Sequence, residues 1–217
     1  MAKIGSEDSY LEDILKDKLY YQIPIYQRPY QWTEENCEKL LDDLFFNYEN
    51  DRESDYFCGS LVLIAIGTDS ATNAKTYDVV DGQQRLSTFI LLAKVLATLY
   101  SDLDPENQEF LQASWSDRHE NKKKKKKKRL DFELVGSNAK KYFQDALKFF
   151  DDLDASKGED SKSNDPSKGK NNYLKNAICL KNYLEKKKRL ETLTISLSGC
   201  ILMSYLSPSL ALMQTKR

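Results

Sequence analysis

From Leu86 to Tyr100 the chain reads Leu-Ser-Thr-Phe-Ile-Leu-Leu-Ala-Lys-Val-Leu-Ala-Thr-Leu-Tyr, about four helical turns that are apolar on nearly every side. A helix with one apolar stripe lies on a surface, but a helix apolar all round has to be enclosed by its neighbours. The rest of the chain must therefore wrap this segment. A strand signal, Thr76 to Val80, runs almost directly into it. Any group held at that strand-to-helix junction is thereby anchored to the middle of the core.

The flanking elements follow from periodicity. Tyr10, Leu11, Ile14 and Leu15 recur at helical spacing and predict an amphipathic helix from Ser6 to Lys18. Tyr20 to Ile25 is β-branched and aromatic, with Pro24 confining it to an edge or a strand end. Thr33 caps a helix whose stripe is Cys37, Leu40, Leu41, Leu44 and Phe45. Tyr56 to Ile66 predicts a strand antiparallel to Thr76–Val80, with a polar turn from Gly67 to Ala74 between them. Asp104-Pro105-Glu106 opens a helix to about Trp115, and Arg129 to Val135 is a short strand. Ser137 caps a helix bearing Tyr142, Phe143, Ala146, Leu147 and Phe150, and a last helix runs from about Tyr173 to Arg189. The class is α+β. A small mixed sheet from residues near 20–25, 57–66, 76–80 and 130–135 is packed by helices at 34–46 and 86–100, then followed by a helical extension.

Charge is balanced overall, 33 basic against 34 acidic residues in 217, which excludes a uniformly basic nucleic-acid coat. It is uneven locally. Asp117 to Arg129 holds nine basic and two acidic residues, and within it Lys122, Lys123, Lys124, Lys125, Lys126, Lys127, Lys128 and Arg129 are consecutive. Such a run reads either as a DNA-phosphate contact without sequence preference or as a solvated loop insertion. The only histidine, His119, lies beside it, so no histidine triad or HNH metal centre can be assembled within these residues. Cys37, Cys58, Cys179 and Cys200 show no CxxC spacing and read as reduced core thiols. Residues 151–172 are too polar to order themselves and read as a linker. Thr192 to Thr215 is uncharged over 24 residues, but five serines, Gly199 and Pro208 favour a buried strand and helix over a membrane span. With no secretory signal at the start, a cytoplasmic location without membrane partners is expected.

Two clusters carry chemistry. In Ile23-Pro-Ile-Tyr-Gln-Arg-Pro-Tyr-Gln-Trp32, a proline-stiffened loop presents Gln27 and Arg28 among Tyr26, Tyr30 and Trp32. A guanidinium among rings suits a phosphate with a base nearby; the alternative is a surface turn with an arginine–tyrosine stack. In Asp81-Gly-Gln-Gln-Arg-Leu-Ser-Thr88, Gly82 permits a tight turn into a helix start, where free N–H groups favour an anion. Arg85 would pair with phosphate oxygens, Gln83 and Gln84 would orient a phosphate or a water, and Asp81 would hold a divalent cation. The alternative is an Asp81 helix cap with a solvated Arg85. The spacing is not that of a Walker A loop. Between the clusters, Phe57-Cys-Gly59-Ser60 opens a strand at a glycine that allows close approach.

Taken in order, Ile-Pro-x-Tyr-Gln-Arg-x-Tyr-x-Trp, Phe-x-Gly-Ser and Val-Asp-Gly-Gln-Gln-Arg-Leu-Ser-Thr resemble the N-terminal domain of the GmrSD-type modification-dependent restriction proteins, strongly over residues 8–100 and loosely over 130–190. The resemblance implies a ParB/sulfiredoxin-like fold and a domain that binds and hydrolyses a nucleoside triphosphate, with Mg²⁺, in restriction of modified or phage DNA. Asp81, Gln84 and Arg85, which match the third motif, are expected to be catalytic, with Asp81 on the metal by the chemistry of the junction. The resemblance implies Gln27, Arg28, Gly59, Ser60, Gly82, Gln83 and Arg85 as nucleotide-binding. The domains expected are a nucleotide-binding core at 1–115, a basic insert at 116–129 and a helical extension at 130–217. The lysine run, the tail and the lack of an HNH motif lead to the expectation of a truncated or split product, with the nuclease in a partner subunit or a missing C-terminal domain. A non-catalytic nucleotide- or DNA-binding module is the competing expectation.

Overall fold

The structure, a computed structural model, describes residues 3–15, 18–50, 56–100, 103–116, 127–133, 138–151, 168–192 and 209–216. Six strands form one mixed sheet: β1 (Lys3–Tyr10), β2 (Leu19–Ile23), β3 (Ser60–Thr68), β4 (Lys75–Asp81), β5 (Leu130–Phe132) and β6 (Ser209–Lys216), in the order β1-β6-β3-β4-β2-β5. Six helices accompany them: α1 (Leu11–Ile14), α2 (Glu34–Asn50), α3 (Gln83–Leu99), α4 (Pro105–Ala113), α5 (Ala139–Phe149) and α6 (Asn172–Thr192). The α+β class is as expected.

Helix α3 is enclosed as its sequence requires, with every residue from Leu86 to Leu96 buried. Each large aliphatic side chain buried there stabilises the fold by about 1.5–3 kcal/mol. Lys94 is the one cation in that stretch. It pairs with Asp151 and lies 4.6 Å from the centroid of the Trp115 ring, so its charge is met on both sides. Helix α6 packs against α3, α2 and α5, burying Tyr173, Leu174, Ala177, Leu180 and Leu184 along one stripe. Asp104 caps α4 by accepting from the Asn107 amide, with Pro105 at the first helical position as expected.

Several expectations are corrected. Residues 6–10 are strand, not helix: all eight residues of β1 pair antiparallel with β6, leaving a single helical turn at Leu11–Ile14. Gly5, Ser6, Asp8 and Ser9 are weak helix formers, so pairing with a partner 200 positions away decides the matter. Helix α3 begins at Gln83, three residues before the apolar run, because Gly82 turns the chain there. Asn138 stands at the N-terminal boundary of α5, and Ser137 lies outside the described residues. The uncharged tail supplies strand β6, parallel to β3. His119, Cys200, residues 152–167 of the expected linker and 193–208 of the tail also lie outside the described residues. Among the described residues, no helix is long and apolar enough to cross a membrane.

Candidate functional site

Strand polarity brings the three motifs to one edge of the sheet. β2 and β4 are parallel neighbours, so Ile23 and Asp81 end at the same edge, and the antiparallel β3 begins there at Ser60. The loop after β2, the residues before β3 and the β4–α3 junction therefore meet. Gly82 makes the junction, with φ of 90° in the left-handed region that side-chain-bearing residues rarely adopt. A Cβ on it would lie 2.9 Å from the Ser60 carbonyl oxygen and 2.9 Å from Leu61 Cδ1.

Asp81 does not cap α3. Its side chain is 67% exposed and no side chain caps the first turn, so the cap alternative for this residue is set aside. Arg85, one turn in, donates from Nη2 to the Ser60 carbonyl at 2.5 Å and stands 4.0 Å from the Asp81 carboxylate. Its Nε is buried without a hydrogen-bond partner among the described residues. The guanidinium lies against Gly59, where a Cβ would come 2.8 Å from Cζ, and φ of 107° makes any other residue strained. Beneath it, burial pushes the Cys58 thiol up to about 12, with Arg85 pulling partly the other way.

The two glutamines face inward. Gln83 donates to the Arg28 carbonyl at 2.8 Å and to Gln27 Oε1 at 3.1 Å, and Gln27 in turn donates to the Val80 carbonyl at 2.7 Å. Gln84 Oε1 accepts from the backbone N–H groups of Gln31 at 2.8 Å and Trp32 at 3.2 Å, and its Nε2 donates to the Pro29 carbonyl at 3.3 Å. Both side chains are more than nine-tenths buried. They clamp the 27–32 loop onto α3, whereas Arg28 itself is exposed.

The ring set expected around Arg28 divides. Tyr30 is buried and stacked on Tyr173, with centroids 4.2 Å apart, so it offers no platform to a ligand. Burial holds its phenol well above the usual range. It therefore donates to Thr88 Oγ1 at 2.7 Å, and Thr88 donates to the Gln84 carbonyl at 2.9 Å. Asn176 on α6 closes the network by donating to Tyr30 Oη and to the Trp32 carbonyl, each at 2.9 Å. Sequence reasoning missed Asn176. Its signal is a polar residue set into the buried stripe of α6.

Arg129 is removed from the DNA-binding set. It is fully buried, donating from Nε and Nη2 to the Ala113 carbonyl at 3.0 and 2.6 Å and from Nη1 to the Leu19 carbonyl at 2.5 Å. A guanidinium so enclosed cannot meet a phosphate. Lys127 lies with Nζ 3.7 Å from the centroid of the Tyr20 ring, and Lys128 bridges Ser116, while Lys122 to Lys126 lie outside the described residues.

A comparison with curated proteins finds no match. The profile of the family described as "GmrSD restriction endonuclease, N-terminal domain" matches residues 11–213, reaching through the tail beyond the three motifs. The chain thus belongs to the GmrSD restriction endonuclease N-terminal domain family.

Proposed function

We propose that this chain binds a nucleoside triphosphate at the β4–α3 junction and hydrolyses it, and that turnover serves restriction of modified or phage DNA. Family membership supplies the link to restriction. The ParB-like character of the fold belongs to the same proposal. The observation that supports it best is the setting of Arg85: a guanidinium braced by the Ser60 carbonyl and the bare backbone of Gly59, at the uncapped start of a 17-residue helix. Helix dipole and guanidinium both favour an anion there. Exposed Arg28, fixed through its carbonyl by Gln83, supplies a second cation from the neighbouring loop.

The donor set also fits magnesium of one kind. Asp81 is a single exposed carboxylate, and among the described residues no cluster of three or more metal-ligating side chains occurs. That suits an ion carried in on the phosphates, held through one carboxylate and its own waters. When bound, such an ion would draw charge off the phosphate oxygens. Gln84 acts by holding the loop, and Gly59 and Gly82 act by letting backbone approach.

Calorimetric titration with nucleoside triphosphate and with inorganic tripolyphosphate, alongside phosphate release with magnesium, tests this reading. Arg85→Ala is expected to cost about 1.5–3 kcal/mol, roughly 10-fold to 150-fold in affinity for both ligands. Gly59→Ala should weaken both in the same direction, because its Cβ displaces the guanidinium without removing any charge. Wild-type protein that binds neither ligand would end the proposal. A second reading, binding without turnover, is favoured by the engagement of Gln84 with the loop, and affinity without phosphate release would select it.

DNA contact enters through Lys122 to Lys128, now without Arg129. Replacing these lysines by glutamine should flatten the slope of log affinity against log salt by several units, at about 0.9 per duplex phosphate contact. An unchanged slope would remove the run from the DNA interface.

A further inference from the structure

Among the described residues, six large apolar side chains are conspicuously exposed: Tyr10, Ile25, Tyr26, Phe46, Phe57 and Ile66. Three of them, Ile25, Tyr26 and Phe57, sit in the two segments that flank the β4–α3 junction. Tyr26 is 65% exposed and immediately precedes Gln27, whose side chain is bonded to the Val80 carbonyl. Phe57 is 60% exposed and lies two residues before Gly59, on which the Arg85 guanidinium rests. Two residues of extended chain span at most about 7 Å, so each ring is tied close to the junction. β4 lies between β3 and β2 in the sheet, so the two segments that carry these rings leave the sheet on either side of the junction, from strands about two spacings, or roughly 10 Å, apart. Aromatic partners stack with centroids about 4.5–7 Å apart, so one planar base can reach two rings separated by about 9–14 Å.

Exposing two rings beside a braced arginine is costly for a surface facing water alone, since each leaves apolar area unburied. We infer that Tyr26 and Phe57 are the two walls of a subsite for the planar base of a nucleotide whose phosphates lie at Arg85. This deepens the proposed function and rests on it. The division of labour is plain: the junction holds charge, and the rings hold a π-face. Tyr30 takes no part, being stacked inside the core. Because stacking reads a face that every base has, binding should extend to all four common nucleoside triphosphates.

The test compares ligands with and without a base. Tyr26→Ala and Phe57→Ala, confirmed as folded by thermal melting, are titrated with ATP and with inorganic tripolyphosphate. Each substitution should weaken ATP about 5-fold to 100-fold and leave tripolyphosphate unchanged, whereas Arg85→Ala weakens both. If neither ring substitution alters ATP affinity, or if both ligands weaken together, the inference is overturned while the phosphate site stands. If the substitutions instead abolish binding of single-stranded oligonucleotide and spare ATP, the rings serve a DNA base and the inference is again overturned. If wild-type protein binds neither ATP nor tripolyphosphate, the phosphate reading fails and takes this one with it.

Discussion

Arg129→Ala is expected to destabilise the fold by about 3–5 kcal/mol, a loss confined to few kinds of substitution. The guanidinium fills a fully enclosed space where the chain returns to the sheet, and it satisfies two backbone carbonyls, those of Ala113 and Leu19, from three of its nitrogen atoms. Each carbonyl left buried without a donor costs about 1–3 kcal/mol, and the emptied volume adds to that. The arginine also joins the end of α4 to β2, two elements with no strand pairing between them. Arg129→Lys should recover less than half of the loss, because an ammonium lacks the planar fork that reaches both oxygens. Urea unfolding at constant m-value measures all three proteins, with Lys122 to Lys126 changed to glutamine as the contrast. The contrast should melt like wild type. An Arg129→Ala midpoint within 1 kcal/mol of wild type would show that water replaces the guanidinium at both carbonyls.

Arg129 also shows why part of this molecule is hidden in its sequence. It follows seven lysines and carries the same charge, so local composition assigns it to the solvated run. Only the closing of the chain at Ser116 and Lys128 turns it inward. Where the deciding contact is local, the reading succeeds: the all-round apolar α3, the β3–β4 hairpin and the Asp104 cap need no distant partner. Where it is remote, the reading fails. β1 becomes a strand through β6, and the glutamines at 83 and 84 turn toward a loop more than 50 positions upstream. The meeting of the three motifs was legible as a set, because each stands at a strand end and the strand polarity brings those ends to one edge. Which rings stay available was not legible, since Tyr26 and Tyr30 differ only in burial.

The same remoteness makes Asn176 the most informative single position for the loop. Its amide donates to Tyr30 Oη and to the Trp32 carbonyl, so α6 braces the loop that carries Gln27 and Arg28 independently of Gln84, which accepts from the Gln31 and Trp32 amides. Asn176→Leu nearly keeps the volume but leaves the Trp32 carbonyl without this donor, which is expected to cost about 1–3 kcal/mol in a nearly dry site. The loss should be local. Hydrogen exchange at the Gln31 and Trp32 amides is expected to accelerate about 10-fold, while amides in the middle of α3 change less. Asn176→Asp supplies the sign. An ionised carboxylate cannot donate, and burial raises its pKa above the value near 3.9 of an unfolded aspartate. The folded state of that variant therefore binds a proton more readily than the unfolded state. Its stability relative to wild type should be lowest near neutral pH and recover as pH falls through the raised pKa, when one O–H becomes available to the loop. A merely space-filling role predicts no such recovery, and loop amides that exchange at the wild-type rate in both variants would place the brace entirely in Gln84.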